Sequence, residues 1–297
     1  MDPFSSEGEL LNISTAFYTH TYQTVLDSDT SVLSPQNKAA AQILKYRAQI
    51  ALGQGSAVIS ALKSSKDAAS QSILTLAQYA TGNSSAVQAA TDLAASEGED
   101  VVVQICAGTV LAAAGEYALA ADLLSKHKGS LEAVALLVQI HLTQNRTDLA
   151  VKEVAGAKRW ANDSLLINLA EAWLHLRQGG QEHYQSAFYV YEELATTPGN
   201  TSPTALVGQA LCEIHLARWE EAEVALNQAL AAENPDVEAI ANSLVLAAIT
   251  GKKRDQIDEL TKKLETASKN HALLADLKEK SELFDTAAQK YRPSKVA

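Results

Sequence analysis

Turn-forming and aromatic residues are scarce in this chain. Its 297 residues include 14 glycines and 6 prolines, and aromatic side chains make up 5%. A β-sandwich or barrel needs many turns and β-branched strand runs, so the deficit excludes those folds. Cysteine is nearly absent: Cys106 and Cys212 are the two present. Each lies among apolar neighbours at helical spacing, the pattern of buried free thiols in a reducing compartment. No apolar run approaches the roughly 18 residues of a spanning helix. Met1-Asp2-Pro3-Phe4 lacks the basic and apolar regions of a secretory signal. The Asn-x-Ser/Thr triplets at Asn12, Asn83, Asn145, Asn162 and Asn200 are therefore read as chance matches in polar loops. Basic charge is also short. The formal net charge is −11, and the densest basic run is Lys252-Lys253-Arg254, followed by Lys262-Lys263. That run reads as a solvated helix end, and the balance argues against nucleic acid and against direct docking on anionic lipid.

Catalytic patterns are missing as well. Gly179-Gly180 has no preceding strand and no following Lys-Ser/Thr, so it is no phosphate loop. Neither Cys-x-x-Cys nor His-Glu-x-x-His occurs. The dipeptide His-Leu recurs at His141, His175 and His215, a spacing that invites a metal ladder. Their distances to the following turn differ, and no carboxylate or thiol recurs beside them, so ordinary packing is the expectation. No cofactor, metal or catalytic residue is expected.

What is present is helical periodicity in short units. Thr204 to Pro235 is the clearest case. Leu206, Ala210, Leu211 and Ile214 recur at helical spacing, a turn follows at Ala217-Arg218, and Ala222, Leu226, Ala229 and Leu230 mark a second helix. Glu220, Glu221 and Glu223 suit the positive end of that helix, and Asn234-Pro235 stops it. Two such helices cannot bury their apolar faces alone and need copies on either side. The small residue opening each second helix is traced through Val25, Val58, Val87, Ala120, Ala150, Ala187, Ala222 and Ile257, at intervals of 29 to 37 residues. These scatter about the roughly 34-residue tetratricopeptide period. Gly108 is expected to let helices approach closely, Gly115 to make a turn, and the run from Gln178 to His183 to lengthen one. Trp173 and Trp219 are expected in the core, and Trp160 at the surface.

The expected architecture is all-α: one continuous right-handed superhelix (solenoid) of tetratricopeptide-like helical hairpins over residues 9–269. A C-terminal capping helix and tail are expected over 270–297, after a disordered N-terminus over 1–8. The capping helix carries Leu273, Leu274, Leu277, Leu283 and Phe284. In such a stack the concave surface is lined by first helices. Its expected partner-binding residues are Ile105, Thr109 and Ala112, then Leu142, then Ile167, Glu171 and Leu174, then Leu211, Ile214 and His215. Apart from Glu171 and His215 they are apolar or small, which disfavours an acidic peptide tail as ligand.

Several short motifs go beyond the generic repeat. They are Ala16-Phe17-Tyr18, Thr21-Tyr22-Gln23, Lys45-Tyr46-Arg47-Ala48, Thr147 through Glu153, Leu169-Ala170-Glu171-Ala172-Trp173, Gly208-Gln209-Ala210, Arg218-Trp219-Glu220-Glu221-Ala222-Glu223, and the terminal Gln289-Lys290-Tyr291-Arg292-Pro293-Ser294. Together they resemble the epsilon subunit of the COPI coatomer over nearly the whole chain. The resemblance implies a non-enzymatic subunit of the heptameric coatomer that binds and stabilises the alpha-coatomer C-terminal domain. It also implies a cytoplasmic protein, peripheral on Golgi membranes and COPI-coated vesicles, serving Golgi-to-ER retrograde and intra-Golgi transport. The rival reading is a tetratricopeptide adaptor for another peptide tail, such as a chaperone's. Glu213 departs from the repeat pattern, where an aromatic residue is common.

Overall fold

The computed structural model describes residues 8–196, 202–232 and 236–291. The expected disordered segment before Gly8, the stop at Asn234-Pro235 and the tail from Arg292 lie outside the described residues. All regular structure among the described residues is helical. After a short 3₁₀ turn, Gly8–Leu10, the helices pair in sequence: α1 (Leu11–Tyr18) with α2 (Tyr22–Asp27), α3 (Pro35–Ala51) with α4 (Gly55–Leu62), and α5 (Ala68–Ala80) with α6 (Ala86–Ser96). There follow α7 (Val101–Ala113) with α8 (Tyr117–Leu124), α9 (Leu131–Thr143) with α10 (Thr147–Ala161), and α11 (Leu165–Gln178) with α12 (Gln181–Thr196). Then come α13 (Pro203–His215) with α14 (Trp219–Leu230), α15 (Val237–Ile249) with α16 (Arg254–Ala267), and a last helix, α17 (Ala272–Lys290). The sequence reading expects one uninterrupted run of hairpins. By its packing the chain divides into two compact units at Ser202/Pro203.

The two kinds of helix start differently. Four first helices, α5, α7, α9 and α15, open on side-chain caps: Asp67 accepts from the Ser70 amide, Asp100 from Val102 and Val103, Ser130 from Ala133, and Asp236 from Glu238. These oxygens satisfy amides that the helix itself leaves unpaired. Second helices begin instead from a left-handed turn. At Gly115 (φ +85°) the Glu116 amide reaches back to the Leu111 carbonyl at 2.9 Å, and the Gly115 amide to Ala112 at 3.1 Å. This is a Schellman closure, which ends one helix and reverses the chain in few residues. The same pair of bonds recurs where a non-glycine takes the left-handed position: His20 (φ 63°), Asn145 (φ 58°) and Ala217 (φ 57°). The run from Gln178 to His183, expected as a lengthened turn, is not one. Only Gly179 and Gly180 separate α11 from α12, and the extra residues are an added turn of helix ahead of Ala187.

In the first unit, α3, α5, α7, α9 and α11 pack side by side, and α2, α4, α6, α8 and α10 each pack against the first helix that follows. The markers read from the sequence fall inside the eight second helices, and Val25, Val58, Ala120, Ala150, Ala187 and Ala222 are fully buried. In α6 the register slips by one: Ala86 and Ala90 are fully buried, and Val87 only partly. Gly108 lies where an added Cβ would sit 3.1 Å from Leu124, so the absent side chain is what lets α7 and α8 close. Trp173 packs against the core beside Leu166 and Leu174. Trp219 is not core as expected: it stands at the first position of α14 and is 36% exposed, while Ala222 takes the buried slot. Trp160 is exposed. Glu213 is buried yet leaves α13 unbroken, with Gln209 Nε2 donating to its carboxylate at 3.0 Å.

Both cysteines are buried, and burial pushes their thiols up, to about 11 for Cys106 and about 12 for Cys212. Of the three recurrent histidines, His141 is buried, His175 half-buried against His183 (ring centroids 4.7 Å apart), and His215 exposed. They form no common row of ligands.

Two outcomes are expected in thermal unfolding. An alanine held at φ 57° carries about 1 kcal/mol of strain that glycine does not. Ala217→Gly should therefore raise the Tm of the unit that contains it, and an unchanged or lower Tm would count against this. Burial also lowers the proton affinity of His141 and His175 below that of a free histidine. The folded state then binds protons less readily than the unfolded one. The associated stability is present above about pH 6.5 and is lost as pH falls through the folded values. The Tm should fall from about pH 7 towards about pH 5, and His141→Phe should flatten that slope.

Candidate partner-binding face

The helices that were expected to line an inner surface are short and heavily buried. From α3 to α9, each first helix of the first unit touches its own second helix and first helices on either side, which leaves only a narrow stripe open. Ile105, Ile167 and Leu174 lie in the core, at 1%, 0% and 4% exposure. Ile167 packs with Leu131, Val134 and Leu166, and Leu174 with Val138, Ala150 and Val154. Thr109, Ala112, Leu142 and Glu171 are half-buried. Thr109 Oγ1 donates to the Ile105 carbonyl at 2.7 Å, and Glu171 accepts from Lys158 Nζ at 2.7 Å. In the second unit Ile214 belongs to the core with Ala210, Ala222 and Leu226, Leu211 is half-buried, and His215 is exposed. The stripe that a partner can reach is therefore Thr109, Ala112 and Leu142 with Glu171, together with residues that the repeat pattern does not single out, Leu136 and Gln139.

The first unit closes on itself through an ionic contact. Arg47 on α3 forms a two-pronged ion pair with Glu132 on α9: Arg47 Nη1 donates to Glu132 Oε2 at 3.0 Å, and Nη2 donates to Oε1. The two side chains are 9% and 8% exposed. Tyr18 on α1 adds a hydroxyl donated to Glu132 Oε2 at 3.3 Å, and Arg47 Cζ lies 4.6 Å from the centroid of the Phe17 ring. Burial opposes the guanidinium's charge, but the adjoining carboxylate outweighs it and holds Arg47 protonated beyond its ordinary range. Lys45, two residues earlier, donates to the carbonyls of Leu26 (3.0 Å) and Ser28 (2.7 Å) and so closes the end of α2. The motif Lys45-Tyr46-Arg47-Ala48 thus anchors the first hairpin twice, once locally and once across 85 residues to Glu132.

Above this pair is an open cleft of about 180 Å³, bounded by Phe17, Tyr18 and Tyr22 on one side and by Leu136, Gln139, Leu169 and Trp173 on the other. Its aromatic wall is ordered by ring contacts: Phe17 meets Tyr22 edge-on at 5.7 Å, and His20 stacks on Tyr22 at 5.6 Å. Glu132 at the floor is neutralised by Arg47, so the cleft offers aromatic and amide surface without net charge. None of the ten residues inferred from repeat geometry lines it. The motifs Ala16-Phe17-Tyr18 and Thr21-Tyr22-Gln23 supply one wall, and no repeat register shows that α1 reaches α9 and α11.

Severing the ion pair should be costly, because either partner left alone is a buried charge. Arg47→Met or Glu132→Leu alone should cost about 3–5 kcal/mol of unfolding free energy, and the double variant should recover most of it. Chemical denaturation of the three variants checks this. Losses that simply add in the double variant would show that the two groups act separately.

The chain matches the family model described as coatomer epsilon subunit over residues 6–292. It is 32% identical to a probable coatomer subunit epsilon of Schizosaccharomyces pombe, over 97% of this chain and 96% of that one. It is 30% identical to coatomer subunit epsilon-2 of Oryza sativa subsp. japonica, over 96% and 98%. It is 28% identical to coatomer subunit epsilon-1 of Arabidopsis thaliana, over 98% and 100%. Among solved structures, it superposes on a tetratricopeptide repeat protein from Parabacteroides merdae with a TM-score of 0.61 at 13% identity, covering 79% of this chain and 95% of that one. The APC/C hetero-tetramer Cut9-Hcn1 gives a TM-score of 0.57 at 13% identity, over 94% and 57%. At that identity the structural likeness speaks for the fold alone: an all-α array of tetratricopeptide-like hairpins. With the family model spanning residues 6–292 and relatives aligned end to end, the chain belongs to the coatomer epsilon subunit family.

Proposed function

We propose that this coat component is a non-enzymatic scaffold that binds and stabilises the C-terminal domain of the alpha subunit within the coatomer. In this reading it works in the cytoplasm, peripheral on Golgi membranes and COPI-coated vesicles, in Golgi-to-ER retrograde and intra-Golgi transport. Family membership carries the coat assignment. The observation that carries the partner reading is the uncharged aromatic cleft between α1–α2 and α9–α11. Large rigid side chains bounding a preformed concavity are what a protein partner's apolar anchors need. Leu136 and Gln139 at its edge, with Thr109, Ala112 and Leu142 along the neighbouring first helices, extend the surface the partner would meet. Ile105, Ile167 and Leu174 support it from beneath. Within the second unit, Leu211 is half-buried, His215 is exposed and Ile214 is core.

The chaperone-tail reading requires cations facing the ligand. Along this stripe Arg47 is engaged by Glu132 and Lys158 by Glu171, so neither is free to clamp a carboxylate. Co-expression of the chain with the alpha subunit's C-terminal domain is expected to yield a stable complex. Leu136→Glu with Gln139→Arg should weaken it at least about tenfold, which corresponds to about 1.4 kcal/mol. An acidic C-terminal peptide should bind poorly at any salt concentration. No complex, or one indifferent to the cleft substitutions, would overturn the assignment of this face.

A further inference from the structure

The last helix is held to its unit by one turn only. His271 caps it, with Nδ1 accepting from the Leu273 amide at 3.2 Å and Nε2 lying 3.0 Å from Glu238 Oε1. Leu273 and Leu274 pack against Ala241, Leu244 and Leu264. Beyond them every residue from Ala275 to Tyr291 is exposed, and no residue of α17 is buried. Apolar side chains are nevertheless spaced along it and at its end: Leu277 is 48% exposed, Leu283 56%, Phe284 72% and, at the C-cap, Tyr291 83%. A single helix of this length has little stability of its own in water, so a regular apolar stripe implies a partner for it.

The spacing shows what partner fits. Leu274, Leu277, Ser281, Phe284, Ala288 and Tyr291 follow one another at alternating steps of three and four, a helix-pairing seam. Large and small side chains alternate in it so that the stripe complements itself when reversed. Set antiparallel about a two-fold axis between Glu282 and Leu283, two copies place Phe284 against Ser281, Leu277 against Ala288, and Tyr291 against Leu274. Each contact is repeated by symmetry. A parallel pair would instead set Phe284 on Phe284 and leave Ser281 on Ser281. The charges at the edge agree: Lys278 of one copy lies across from Asp285 of the other, twice. The acidic residues of the helix, Asp276, Glu279, Glu282 and Asp285, count against an anionic membrane as the covering surface. We propose that α17 is a self-association element, which pairs antiparallel with α17 of a second copy of this chain. The proposal does not depend on the alpha-subunit reading.

The full-length chain should show a concentration-dependent monomer–dimer equilibrium by sedimentation, with a Kd of roughly 10–100 µM for so small a seam. Phe284→Glu should leave the chain monomeric with an unchanged Tm, since that side chain contacts solvent. Lys278→Asp should weaken the dimer several-fold, and adding Asp285→Lys should restore it. Leu277→Cys with Ala288→Cys should cross-link two copies, and Ala288→Cys alone should not. A chain that stays monomeric to about 200 µM overturns the proposal. So does a dimer indifferent to Phe284→Glu, a charge swap that restores nothing, or cross-linking through Ala288→Cys alone. If the chain is monomeric and Phe284→Glu instead reduces capture of the alpha subunit's C-terminal domain, a partner's helix covers the stripe. That result also overturns the proposal while leaving the partner reading intact.

Discussion

A pair of short amphipathic helices has more apolar surface than its own interface can hide. That excess governs this molecule. Second helices present fully buried small residues on one side, such as Ala120 in α8 or Ala150 in α10, and the next first helix covers them. The consequence is a structure in which neighbours complete one another. It also explains why α7 is apolar nearly all round: Val102 to Gly108 are buried without a break, since helices flank it on several sides. What remains for a partner is whatever the neighbours leave open, a stripe one or two residues wide.

Where the first unit curls far enough for α1 to meet α9, the packing becomes ionic. Arg47, Glu132, Tyr18 and Phe17 gather donors, acceptors and a ring face around one buried charge pair. Pairs of this kind contribute less to net stability than to specifying which surfaces meet. Here the pair fixes where the first hairpin ends its curl, and it forms the floor beneath the aromatic cleft. A cleft so placed has no net charge despite an acidic chain, because its one carboxylate is already answered.

Much of this could be read in the sequence, for identifiable reasons. Helical periodicity, small-residue markers and scarce turn residues are local signals, so the eight hairpins emerge from spacing alone. The slip at Val87 and the misread run at Gln178–His183 have the same source. Two adjacent small residues, or an added helical turn, leave the average period nearly unchanged. The inner face was less legible. Ile105, Ile167 and Leu174 occupy first helices as expected, yet helical spacing cannot distinguish a side chain facing an open bore from one facing the next helix. Glu132 gave no signal, since its partner lies far away in sequence and in another hairpin. The Phe17–Tyr22 aromatics were visible only as a family label.

That separation has a consequence in time. Arg47 and Glu132 are 85 residues apart in the chain. A ribosome adding about 5–20 residues per second delivers the carboxylate roughly 4–17 s after the guanidinium. Through that interval the first hairpins exist with an unanswered cation and an aromatic wall facing nothing. The nascent chain therefore spends seconds as an open half-structure, and the residues that later frame a binding cleft are in that period its most exposed surface.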